Sequence, residues 1–224
     1  MANAGKPDLP EGYLGAQGSF GDLGLSVSSH SDPCITIREN HLDISFNCST
    51  PVKFTHQLIN CATEKENNEY VFTHTKDKTV VFVIQLPEIG YYKLQLFALP
   101  VTDESKSLPN VFNYLIHCTR AVQPVYPYPK QYAQWKEGCF LYKPLILHND
   151  SKLTNIQWSV QVPHAKGVAV VADGEWFHFE NRGGPIWDAT FSLDNLRGKN
   201  AKITLNANLS DDETKYCTLL EYKL

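Results

Sequence analysis

The sequence is poor in the features that mark metal sites, membrane spans and nucleic-acid surfaces. It has no Cys-x-x-Cys, and its eight histidines show no paired ligand spacing, so no metal and no other cofactor is expected. Lysine and arginine (20) nearly balance aspartate and glutamate (24), and neither sign runs in blocks. That leaves no electrostatic footprint for nucleic acid or an anionic membrane. No apolar run approaches the ~20 residues that cross a bilayer. The opening "MANAGKPDLPEGY" lacks the basic and apolar regions of an export signal, so the six cysteines are expected as free thiols in a cytoplasmic protein. Three Asn-x-Ser triplets, at Asn47, Asn149 and Asn208, carry no meaning in that setting. Helical periodicity is missing too: no stretch of ten or more residues keeps a 3.6 repeat.

What is present reads as strands. "TVVFVIQLP" (Thr79–Pro87) and "YYKLQLFAL" (Tyr91–Leu99) are β-branched and aromatic, and Glu88-Ile89-Gly90 turns between them as a hairpin or a corner between sheets. "CITIRENHLDISFNC" holds two more alternating runs, and "VFNYLIHC" follows a polar loop. Later come "NIQWSVQVP", "GVAVVADGEWFHFE", "WDATFSLD", "AKITLNANL" and "YCTLLEYKL". "EKENNEYVF", the nearest thing to a helix, reads as a loop entering a strand. The fold class is all-β.

An internal echo suggests two copies. Phe82–Ala98 can be laid over Phe191–Ala207: a Phe-led strand, a turn through glycine, then a strand opening on lysine. A closing strand follows each, as at the back end of a Greek-key sandwich, and each copy has the ~100 residues of an immunoglobulin-like domain. Tyr91 or Tyr92, just after Gly90, is placed to make a tyrosine corner. The Cys…Trp…Cys spacing of antibody domains is absent, because the first tryptophan is Trp135. Between the copies lies "QPVYPYPKQYAQWKEGCFLYKP". Its prolines remove backbone donors and fix φ, which keeps them out of sheet interiors. The expected layout is an extended segment over 1–20, a first sandwich over 21–120, a stiff Pro/Tyr-rich hinge over 121–132 and a second sandwich over 133–224.

Several residues invite a chemical reading. Cys139, preceded by Gly138, is the best-placed thiol for a nucleophile, with His164 or His178 and Asp188 downstream. Its surroundings read as a short strand broken by Pro144, however, and not as the helix start that would lower a thiol pKa. The other cysteines fall in or beside strand runs. "SDDETK" (Ser210–Lys215) lacks the ligand pattern of a calcium loop, and "NRGG" (Asn181–Gly184) is a turn. The aromatics remain. Tyr126, Tyr128, Tyr132 and Trp135 crowd the hinge, and Trp176 and Trp187 flank the Gly-Gly turn. They either cement the sandwiches or serve as hot spots for a protein partner.

Six fragments in order, "YLGAQ", "GYYKLQLFALP", "LPNVFNYLI", "PYPKQYAQW", "VAVVADGEW" and "LLEYKL", resemble the C-terminal region of the kyphoscoliosis peptidase and hillarin family. The resemblance runs from Tyr13 to Leu224. It implies immunoglobulin-like modules of cytoskeleton-associated proteins whose Cys-His-Asp machinery lies in a transglutaminase-like domain ahead of Tyr13. No catalytic residue carries over. The expectation is therefore a non-enzymatic, cytoplasmic interaction region that docks or scaffolds a cytoskeletal protein. A thiol-enzyme fragment and a secreted, disulfide-bonded adhesion module are the alternatives.

Overall fold

Burial with a period of two runs through most strands of the computed structural model, which describes residues 5–224. The chain forms two compact units. The first runs to Thr73 and resumes over Asp77–Val125, and the second comprises His74–Lys76 and Tyr126–Leu224.

The first unit is built from β1 (Gly15–Ala16), a single-turn helix α1 (Ser19–Asp22), β2 (Leu25–Val27), β3 (Cys34–Ile37), β4 (His41–Cys48) and β5 (Val52–Asn60). β6 (Val71–Lys76), whose last three residues count with the second unit, β7 (Thr79–Gln85), β8 (Gly90–Pro100) and β9 (Asn110–Cys118) complete it. One sheet has the order β1-β9-β8-β5, with β3 lying parallel on β9; the other is β2-β4-β7-β6. Alternate residues of facing strands fill the space between them: Ile44 and Phe46, Val80, Phe82 and Ile84, Leu94 and Leu96, Phe112 and Tyr114. Phe46 stands at the centre, with the rings of Phe20, Phe82 and Phe112 at 5.3–5.9 Å. Each such buried side chain contributes roughly 1.5–3 kcal/mol.

The turn after β7 is a corner between sheets, not a hairpin, and Tyr92 fastens it. The Tyr92 hydroxyl accepts from the Glu88 N–H at 3.0 Å and donates to the Glu88 carbonyl at 3.1 Å. This is the tyrosine corner of immunoglobulin-like sandwiches.

The second unit contains β10 (Lys130–Gln131), β11 (Phe140–Lys143), β12 (Ile156–Gln161), β13 (Gly167–Ala172) and β14 (Glu175–His178). It ends with β15 (Glu180–Gly183), β16 (Ile186–Phe191), β17 (Lys202–Asn208) and β18 (Cys217–Lys223). Its sheets run β10-β18-β17-β13-β14 and β11-β12-β16-β15. Trp158 anchors the core, stacked on Phe191 at 5.4 Å and edge-on to Tyr222 at 5.3 Å. The internal echo has a structural basis: β7–β8 and β16–β17 each step from one sheet to the other, and β9 and β18 close beside β8 and β17. The corner residue is not repeated, since Ala201 stands where the overlay places Tyr92. Instead Thr154 donates to Asp194 at 2.7 Å in a short 3-10 turn, with Leu196 buried beneath.

The proline-rich stretch is divided between the units. Gln123 belongs to the first, where the buried Asn40 side chain donates to its carbonyl at 2.8 Å and accepts from its N–H at 3.2 Å. In the second, Tyr126 stacks on His148 at 3.6 Å, and Lys130–Gln131 pair with β18 on the sheet edge, immediately after Pro129.

Candidate functional site

The residues singled out from the sequence have different fates. Trp135 is 1% exposed in a 3-10 turn, and Tyr128 and Trp187 are also buried. These three side chains are core material by burial. Tyr126 and Tyr132 are half-buried. The Tyr132 hydroxyl donates to Glu221 at 2.6 Å, and that bond holds the Glu221 carboxyl below its ordinary pKa. Trp176 alone of the six is exposed, at 48%.

Local chemistry puts it there. Asp173 and Gly174, both at positive φ (50° and 79°), make a two-residue turn between β13 and β14 of the kind that Asp-Gly favours. The turn sets the register Ala172↔Glu175, Val171↔Trp176, Val170↔Phe177, Ala169↔His178. Alternation then sends Phe177 inward, where it stacks on Phe191 at 4.2 Å, and Trp176 and His178 outward. Trp176 meets Tyr216 edge-on at 5.2 Å and His178 at 5.8 Å. Tyr216 lies across Gly167, where a Cβ would fall 2.5 Å from its hydroxyl, so the glycine makes room for the ring.

β14 ends its sheet, with no strand on its far side among the described residues. A two-residue loop makes Ala172 and Glu175 the hydrogen-bonded pair. Two residues along in register, Phe177 also faces β13, and the Phe179 N–H bonds to the Val168 carbonyl at 2.9 Å. The main-chain groups of Trp176 and His178 therefore point off the edge. Beside it opens a groove of about 740 Å³ whose lining includes Phe177, His178, Arg182, Asp188 and Phe191. Arg182 donates to Asp188 Oδ2 at 3.3 Å, while Asp188 Oδ1 is buried without a partner.

Sequence reasoning named Trp176 but missed Tyr216, and it weighed His178 only as a catalytic base. The Asp-Gly pair inside "VVADGEWFH" was the available signal, since it splits one apparent run into a hairpin with an edge.

The thiol reading meets a different environment. Cys139 is buried just before β11, its Sγ directed to the Gln134 carbonyl at 3.7 Å, and burial pushes its pKa up, the reverse of a nucleophile's need. His164 and His178 are exposed. All six cysteines are unpaired. Among the described residues no three His, Cys, Asp or Glu side chains are grouped to hold a metal, and no helix is long and apolar enough to cross a membrane. The 210–215 loop closes on itself: Thr214 donates to Asp212 at 2.6 Å, and Asn208 to the Asp212 carbonyl at 2.8 Å.

Known proteins give this fold a context. The model of the KY-like, immunoglobulin-like domain family matches residues 7–129, more than half of the chain. Kyphoscoliosis peptidase of Mus musculus is 28% identical over 126 residues, covering 55% of this chain and 19% of that protein. The Homo sapiens protein of the same name is 24% identical over 207 residues, covering 90% of this chain and 30% of that protein. The chain thus spans under a third of the length of these curated relatives. A solved I9–I11 tandem from titin (9% identity, 88% of this chain and 64% of that one) has a TM-score of 0.23. The periplasmic chaperone SfaE (13% identity, 87% and 98%) has a TM-score of 0.29. At those scores neither structure bears on the argument. The chain belongs to the KY-like, immunoglobulin-like domain family.

Proposed function

We propose that this chain is a non-catalytic protein-interaction region of a cytoplasmic, cytoskeleton-associated protein of the kyphoscoliosis peptidase and hillarin type, and that it docks or scaffolds a cytoskeletal partner. The observation that carries this reading is the aromatic group of Trp176, His178 and Tyr216 on the open edge of β14. An exposed tryptophan beside unpaired main-chain groups suits a binding edge better than a solvated one. The match to relatives named as peptidases bears on their immunoglobulin-like region, and the buried Cys139 speaks against a thiol nucleophile within this stretch.

Co-sedimentation of the chain with a detergent-resistant cytoskeletal fraction tests the reading, alongside amine-incorporation and peptide-cleavage assays on the same preparation. The expected result is co-pelleting that falls with Trp176→Ala, without turnover. A chain that stays in the supernatant, or turnover that vanishes in Cys139→Ala, would overturn it.

A further inference from the structure

We infer that β14 is a strand-addition site for a basic, extended segment with β-branched residues at alternate positions. This names the partner chemistry of the interaction edge proposed above and rests on that reading.

The main chain comes first. Trp176 and His178 direct both their N–H and C=O groups off the sheet, so an added strand would hydrogen-bond to these two residues. A partner residue directly opposite Trp176 or His178 shares its face of the sheet. Its side chain would thus lie over the aromatic group that Trp176, His178 and Tyr216 make. Partner residues between those positions face the other way, toward Phe177 and Phe191 at the mouth of the groove. The edge therefore reads two faces: rings on one side, and on the other the Phe177–Phe191 pair at the mouth of an otherwise largely polar groove.

Charge chooses the side chain for the ring face. Lys166 pairs with Asp211, Lys215 with Asp212, and Arg182 with Glu180 and Asp188. These three cations are thereby engaged from within, and Lys143 in the groove lining donates to the neutral Gln157 at 2.6 Å. Asp173 in the turn, Glu175 beside Trp176 and Glu213 ahead of Tyr216 are exposed and in no ion pair among the described residues. The uncompensated charge around the rings is negative, and a tryptophan face is the best side-chain acceptor for a cation. Arginine or lysine opposite Trp176 satisfies both. Valine or isoleucine at the intervening positions suits Phe177 and keeps the added segment extended.

The test uses the whole chain and the capped peptide TRVRVRT, read by amide hydrogen exchange and NMR shifts. Controls are TEVEVET and a TRVRVRT peptide N-methylated at its arginines, which keeps the charge but removes the donors that face β14. TRVRVRT should slow exchange at the Trp176 and His178 amides, Trp176→Ala should weaken it roughly tenfold, and both controls should fail. Equal binding of the N-methylated peptide would overturn strand addition. Equal binding of TEVEVET at β14 would overturn the basic partner while leaving the interaction edge standing. No change at β14 with any peptide would overturn the proposal, and the co-sedimentation of Trp176→Ala then decides the interaction reading on its own.

Discussion

Removing one oxygen atom from Tyr92 should weaken the first sandwich and spare the second. Tyr92→Phe keeps the buried ring in place but strips the Glu88 N–H of its acceptor and the Glu88 carbonyl of a donor, bonds of 3.0 and 3.1 Å. Two such bonds are worth about 1–3 kcal/mol together. With a urea dependence of about 1–3 kcal/mol per molar, a loss near 2 kcal/mol lowers the midpoint by about 1 M. The phenol is pushed up to about 12 by burial, so the corner stays protonated through ordinary buffers. The assay is favourable because all four tryptophans, at 135, 158, 176 and 187, lie in the second unit. Far-ultraviolet circular dichroism follows both units in urea, whereas tryptophan fluorescence follows only the second. Tyr92→Phe should shift a portion of the dichroism transition and leave the fluorescence midpoint in place. Tyr91→Phe is the control, because that ring stacks on His117 at 4.1 Å without the corner geometry. A loss below about 0.5 kcal/mol, within ordinary surface-substitution scatter, would refute the reasoning. So would a shift confined to fluorescence.

His74, stacked on Phe140 at 3.9 Å and accepting the Leu141 N–H at 3.3 Å, is held neutral by burial, which lowers its pKa from 6.5 to about 4. An unfolded chain binds that proton first, so its contribution is complete above pH 6.5 and is lost as the pH falls toward 4, by up to about 3 kcal/mol. Denaturation of wild type and His74→Gln from pH 7 to 4 should converge, and parallel curves would refute the assignment. Six thiols should titrate in the denatured chain, with exposed Cys34 reacting first and Cys139 last in the native one; a fast Cys139 would contradict its burial. Gly167→Ala should displace Tyr216 from beneath Trp176 and shift the Trp176 indole signal in NMR, and an unmoved signal would show that the ring has room elsewhere.

The strands rich in apolar, β-branched and aromatic residues are the ones the fold uses as read: β7, β8, β9, β12 and β17 are such runs closed by turn residues. The tyrosine corner was legible only as Tyr91 or Tyr92 after Gly90, and the bonds to Glu88 decide for Tyr92. β5 was not picked out. His56 breaks the inward set of Val52, Phe54 and Leu58, and with Lys53, Thr55 and Gln57 on the outward positions the middle of the strand reads as polar. Burial of individual aromatics was illegible for a related reason. Trp135, Trp176 and Trp187 look alike in the sequence, and what separates them is which side of a strand or turn each occupies. That depends on register, which a two-residue turn sets and a one-residue slip would reverse. The candidate edge was hidden by the same ambiguity until the Asp-Gly turn fixed it.

The parallel placement of β3 on β9 gives the first sandwich a mechanical character. β1 runs antiparallel to β9, so a pull on the chain ahead of Gly15 and beyond Cys118 loads the pair from one end. Its two residue pairs would separate in succession, like a zipper. β3 runs the same way as β9, and the same pull slides Cys34–Ile37 lengthwise against Leu115–Cys118, loading all four pairs at once. Under tension the N-terminal strand should peel away at low force and lengthen the tether by a short step. β2, paired with β4, takes the load next, and the parallel patch behind it then holds as a shear clamp.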